Sequence, residues 1–203
     1  MNRRAIATAG WLLLVFIAFG PLAPTESRPD QSEWIWRLLS GQWEGENVVL
    51  VALFQCMGIW PMLMVLRLRA VWTDPGRPAW PFLGGAFVLG CFALLPWFAW
   101  TTREEAPAPP ASRGAAALSA VLGASALGLL GWGAFSGDAP GFMELFRSDA
   151  FVWAMSWDFV AFWLLAACLA PTGSRFGRGG WWLPLVGPAA AMAVDGWPRG
   201  ESA

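Results

Sequence analysis

Apolar residues fall in six long runs when charged residues and Pro/Gly clusters are taken as separators. They cover Ala5 to Leu22, Val48 to Leu66, Pro81 to Trp100, Ala115 to Phe135, Phe151 to Ala170 and Trp181 to Val194. About 20 apolar residues in a helix cross a hydrocarbon core, so the pattern predicts an all-α polytopic membrane protein of about six spans in a single transmembrane domain. The last run is short and contains Pro184 and Pro188, so it either spans with tilt or enters and returns on one face. The first run follows Arg3 and Arg4 and resembles a signal peptide, with Ala23 as a cleavage residue; cleavage would leave five spans. Its long apolar core, with Pro21 and Pro24 flanking that site, favours an uncleaved helix instead.

Between the runs, residues 30–41 carry a different pattern. Trp34, Ile35, Leu38 and Leu39 share one helical face, with Arg37 and Glu33 off it, which predicts a short interfacial helix ended by Gly41. Asp30 and Glu33 have the spacing of a capping box at its start. A weaker echo, Phe142, Met143, Leu145 and Phe146, precedes Ser148-Asp149, where the fifth run begins. Arg103 to Pro110 predicts an extended Pro-rich connector. Within the fourth run, Ala116, Ala120, Ala124 and Gly128 recur every four residues, a small-residue stripe that allows close helix packing.

Composition then narrows the chemistry. Of 203 residues 57% are hydrophobic and 13% charged, against roughly 25% charged in a soluble domain, and the net charge of −1 offers no basic surface for nucleic acid. His and Lys are absent, which excludes His-ligated haem, chlorophyll, zinc or copper, Ser–His or Cys–His nucleophiles and Lys Schiff bases. Arg as the sole cation fits the codon bias of a GC-rich bacterial genome, and the expected location is a bacterial inner membrane, or a thylakoid-type membrane in a phototroph. Cys56, Cys91 and Cys168 stand in separate runs with no CxxC pair, so no metal or thiol-redox site is expected. The 16 Trp gather at span ends, including Trp72, Trp80, Trp97, Trp100, Trp181, Trp182 and Trp197, which fits anchoring at the headgroup level. A stacked aromatic pocket for a quinone, a carotenoid or another flat lipid is the competing reading; otherwise no cofactor is implied.

Orientation by Arg count is nearly balanced for six spans. With the N-terminus inside, Arg3, Arg4, Arg67, Arg69, Arg77, Arg147 and Arg199 lie inside and Arg28, Arg37, Arg103, Arg113, Arg175 and Arg178 outside. The first half of the chain favours this orientation and the second half opposes it, a conflict that a re-entrant segment would resolve.

One ionisable side chain lies well inside an apolar run: Asp158. A carboxylate near mid-bilayer costs a few kcal/mol, so it needs a partner, a proton or a function. Pro61 and Pro96 lie within runs, where each frees a carbonyl and kinks its helix. A groove between the second, third and fifth runs is the implied intramembrane polar site, with Asp158, Gln55 and Cys56 as its candidates. Trp indoles, Gln55, Ser119 and Ser125 are the available partners for Asp158, whose own helix offers none; a protonated, hydrogen-bond-donating carboxyl is the expectation.

Several local patterns together resemble a family. Gln55-Cys-Met-Gly58-Ile-Trp60-Pro61, Arg77-Pro-Ala-Trp-Pro81-Phe82, Ala93-Leu-Leu-Pro96-Trp97, Phe146-Arg-Ser-Asp-Ala-Phe151 and Met155-Ser-Trp-Asp158-Phe159 occur in this order. Over residues 48–195 the chain resembles an uncharacterised family of multi-pass integral membrane proteins found in cyanobacteria, chloroplasts and other bacteria. It departs at Gln55, where that family's pattern has Asn, and has Trp or Phe where Tyr is common. The resemblance implies a helical membrane scaffold containing Pro61, Pro81, Pro96 and Asp158, with no assigned reaction. The functional expectation is a non-enzymatic scaffold, assembly or accessory subunit, with the bilayer and other membrane subunits as partners. The alternative is a small proton- or cation-coupled transporter using Asp158.

Overall fold

The computed structural model describes residues 3–71, 78–101, 112–170 and 177–196, and these are helical throughout, joined by turns. In chain order the helices are α1 (Arg3–Phe19), α2 (Gln31–Ser40), α3 (Val48–Leu68), α4 (Trp80–Leu89), α5 (Cys91–Trp100), α6 (Arg113–Ser136), α7 (Ala139–Ser148), α8 (Ala150–Cys168), α9 (Gly177–Gly180) and α10 (Val186–Gly196). Three of them, α3, α6 and α8, are long and apolar enough to cross a membrane. The connector at Arg103 to Pro110, Trp72 and Trp197 lie outside the described residues.

The third apolar run departs from expectation. It is two ten-residue helices, α4 and α5, broken at Gly90. Phe82, near the start of α4, packs edge-on against Trp100, the end of α5, at 5.9 Å between ring centroids. Further in, a Cβ on Gly85 would lie 3.1 Å from that of Ala93. The two helices therefore fold back on each other as a hairpin with Gly90 at its tip. Each arm is about 15 Å long at 1.5 Å per residue, half the length that a span needs. Gly90 has φ 60° and ψ −140°, a conformation open essentially only to glycine, and this lets an otherwise helical run reverse.

Cross-helix contacts sort the remaining ends onto two faces. On one, Asn47 Nδ2 donates to Asp138 O at 2.8 Å, Ala150 N donates to Glu26 O at 2.9 Å, and Arg28 Nε lies 3.6 Å from Asp149 Oδ2. This far face gathers the end of α1, the start of α3, the end of α6 and the start of α8. On the opposite, near face, Arg4 Nε donates to Thr101 O at 3.4 Å, Arg67 Nη2 to Leu169 O at 3.3 Å, and Ser112 N to Gly196 O at 3.1 Å. Both ends of the hairpin thus open on the near face. The last apolar run also fails to form one straight helix: turns occupy Trp181–Leu185, and α10 runs from beside Gly123 back to Ala116 at the near face.

Two amphipathic helices lie on the far face. Trp34 and Leu38 of α2 are buried against Leu50, Val51, Val152 and Met155, whereas Trp36 and Leu39 are exposed. Gly41 ends α2 in the left-handed conformation. The capping box does not form, because Asp30 turns its carboxylate to Arg37 at 3.3 Å and leaves the helix start without a side-chain cap. Asp149, by contrast, caps α8 by accepting from Phe151 N at 2.9 Å and Val152 N at 3.0 Å.

The seam of α6 also differs from the expected stripe. Ala116 is buried, but Ala120, Ala124 and Gly128 face outward. The packed face runs through Ala116, Ser119, Gly123, Ala126 and Gly133, steps of three, four and seven that follow 3.6 residues per turn, whereas a strict four-residue repeat drifts off the contact. A Cβ on Gly123 would meet that of Ala189 at 2.9 Å, and one on Gly133 that of Ala52 at 3.1 Å, so glycine sets the approach of α10 and α3.

Candidate functional site

Asp158 is the ninth of nineteen residues in α8 and is 4% exposed. Its Oδ1 accepts from the backbone N–H of Cys91 at 2.8 Å, and the Phe92 N–H acts on the same carboxyl group. These are the first amides of α5, which lack intrahelical partners and carry the positive end of the helix dipole. The carboxyl therefore caps a half-helix from across the bundle. Gly90 is part of the same joint, since a Cβ there would fall onto the carboxyl oxygens. Asp158 Oδ1 thus accepts from backbone amides, rather than pairing with an indole, Gln55, Ser119 or Ser125.

The other candidates divide. Gln55 donates from Nε2 to Leu38 O at 3.0 Å, where Trp43 Nε1 also donates at 2.9 Å, so it serves the end of α2 rather than Asp158. Cys56 is fully buried in the main core with Trp60, Cys91 and Phe162. Trp60 stacks on Phe162 at 5.8 Å with nearly parallel rings, joining α3 to α8 one turn from Asp158. Pro61 is buried within an unbroken α3. Pro96 lies inside α5 and lacks the N–H that would bond Phe92 O. Trp11 of α1 supplies that bond, donating from Nε1 to Phe92 O at 3.1 Å.

That pairing recurs. Pro21 cannot donate back to Ile17 O, and Trp153 Nε1 does so at 2.8 Å. Trp163 Nε1 donates to Trp182 O at 2.9 Å, in the turn before α10. Within the described residues these tryptophans supply N–H donors to carbonyls that proline or a helix end has freed. A carbonyl left unsatisfied away from water costs free energy, which the indole donors to Phe92 O and Ile17 O avoid.

A cavity of about 500 Å³ opens between the start of α1 and the mouth of the hairpin, lined by Arg4, Pro78, Pro81, Phe82, Trp97, Ala99 and Trp100. Sequence reasoning missed both it and the Gly90–Cys91 joint. The available signal was an isolated glycine inside an apolar run, which marks a break or a close approach. Among the described residues no group of three His, Cys, Asp or Glu side chains is placed to hold a metal ion. No family model, curated protein or solved structure matches this chain.

Proposed function

We propose that this chain is a non-enzymatic membrane scaffold or accessory subunit in which Asp158 is a structural clasp. The observation that carries this is the 2.8 Å bond from Cys91 N to Asp158 Oδ1, which commits the lone deep carboxyl to holding the hairpin tip. Asp158→Asn keeps an acceptor oxygen, so it should retain folding and any co-purifying partners, while Asp158→Leu should lose both. A second reading, a small proton- or cation-coupled carrier, is favoured by the broken helix beside a carboxyl at mid-depth. A proton-coupled flux in proteoliposomes that Asp158→Asn abolishes in well-folded protein would overturn the clasp-only reading.

The membrane disposition belongs to the same proposal. With α1, α3, α6 and α8 crossing and the α4–α5 hairpin and the C-terminal segment re-entrant from the near face, three arginines fall to the far side: Arg28, Arg37 and Arg147. The other ten of the 13 fall, by sequence position, beside helix ends of the near face. A near-even split thus becomes a strong bias, with the near face toward the cytoplasm. The hydrogen bonds of α1 to Phe92 and Trp153 support its retention as part of the bundle. Reporter fusions distinguish the cases: six straight spans put residue 103 outside, whereas the re-entrant hairpin puts residues 71 and 103 both inside and residue 44 outside.

A further inference from the structure

We infer that proton uptake by Asp158 releases the tip of the α4–α5 hairpin from α8, so that the joint is closed only while the carboxyl is ionised. This rests on the clasp reading proposed above and adds its regulation. The hydrogen bonds of the carboxyl come from the backbone N–H groups of Cys91 and Phe92, which can only donate. An ionised carboxylate, which only accepts, matches them; a protonated one brings an O–H that neither amide can accept. Protonation also replaces charge-assisted bonds by neutral ones, about half as strong, and removes the negative charge from the positive end of α5. Among the described residues Asp158 forms no ion pair. Helix α4 carries no acid or base and α5 only Cys91, which is fully buried at the joint, while Cys56 of α3 lies in the same core. Arg4 of α1 and Arg67 of α3 reach Thr101 O and Leu169 O at near-face helix ends, and Glu144 and Arg147 of α7 stand exposed on the far face. A carboxylate at this depth is thus held by the tip amides without a counter-ion, which poises the joint against proton uptake. The fold confines what release can move. Trp11 Nε1 bonds Phe92 O and keeps α5 on α1, and the Trp60–Phe162 stack keeps α3 on α8. Gly90 is the hinge, and Phe87, Val88 and Leu89 beside it are exposed, so the tip has room on its outer side. Release therefore opens the seam between α5 and α8 and uncovers Cys91.

Thiol access reads the seam. The full chain in detergent micelles is reacted with dithiodipyridine, an apolar disulfide that stays reactive in acid, and each labelled cysteine is quantified by peptide mass spectrometry. Cys168, exposed at the end of α8, is the internal reference. Between about pH 8 and about pH 4, which reaches the ordinary carboxylate range, the ratio of Cys91 to Cys168 labelling should rise about tenfold, the change expected when charge-assisted bonds become neutral. Cys56 should stay protected throughout. Asp158→Asn, shown to be folded by tryptophan fluorescence, should give a raised ratio that no longer depends on pH, and Glu144→Gln should respond as the parent does. If Asp158→Asn does not fold, the infrared carbonyl band of the protonated acid must appear in the parent with the same midpoint as Cys91 exposure, and a different midpoint overturns the switch. A flat ratio in the parent, exposure of Cys56 together with Cys91, or a pH response retained in Asp158→Asn would each overturn it as well. Failure of the clasp reads differently. Cys91 protected at every pH in Asp158→Ala overturns the clasp itself, whereas Cys91 exposed in that variant and protected at every pH in the parent removes the switch and leaves the clasp.

Discussion

Gly90→Ala tests the joint between the hairpin and α8 most directly. The added methyl group has two consequences, both at the tip. It forces a non-glycine residue into φ 60°, ψ −140°, which costs about 1–3 kcal/mol. It also occupies the space of the Asp158 carboxyl, which must withdraw from Cys91 N–H and forfeit a bond to a charged or strongly polar group of about 1.5–3 kcal/mol. Together the expected loss is roughly 3–5 kcal/mol, a large share of the stability of a chain this size. The assay is reversible unfolding in mixed micelles, followed by tryptophan fluorescence and combined in a double-mutant cycle with Asp158→Ala. Removing the carboxyl makes room for the methyl group, so the double variant should be less unstable than the sum of the two singles by at least 1 kcal/mol. Gly84→Ala is the control, because a Cβ at that exposed position meets nothing within 4 Å. A Gly90→Ala protein within about 0.5 kcal/mol of the parent, or strict additivity with Asp158→Ala, would refute the clasp.

Two further outcomes follow from the packing. Trp11→Phe keeps the aromatic body but leaves Phe92 O without its indole donor, so unfolding should become easier by about 1–3 kcal/mol; Pro96→Ala restores the backbone donor and should recover much of that loss in the same unfolding assay. Gly123→Ala pushes against Ala189 Cβ at 2.9 Å and should cost about 1–3 kcal/mol by overpacking, whereas Gly128→Ala, with open space around it, should leave the melting temperature unchanged or raise it; the reverse order would place the α6 seam on the expected four-residue stripe.

The sequence by itself determined the helical class and the long apolar helices. The runs expected at 48–66, 115–135 and 151–170 correspond to α3, α6 and α8, because charges at the flanks and continuous apolarity bound them locally. It also singled out Asp158, since a charge in a run of hydrocarbon is visible without any fold. What it left open was the partner of that charge. Cys91 is 67 positions away and offers a backbone amide, a donor that every residue except proline carries and that no residue type marks. Likewise, Trp11 and Trp153 were legible as amphipathic side chains, but their acceptors, Phe92 O and Ile17 O, become special only where a proline four residues on removes the usual donor. Hydropathy is blind to direction, so 20 apolar residues from Pro81 to Trp100 look alike as one straight helix or as two folded back. The tertiary structure decided between them, through a glycine able to take a positive φ and a distant carboxyl that caps the helix start exposed by the break.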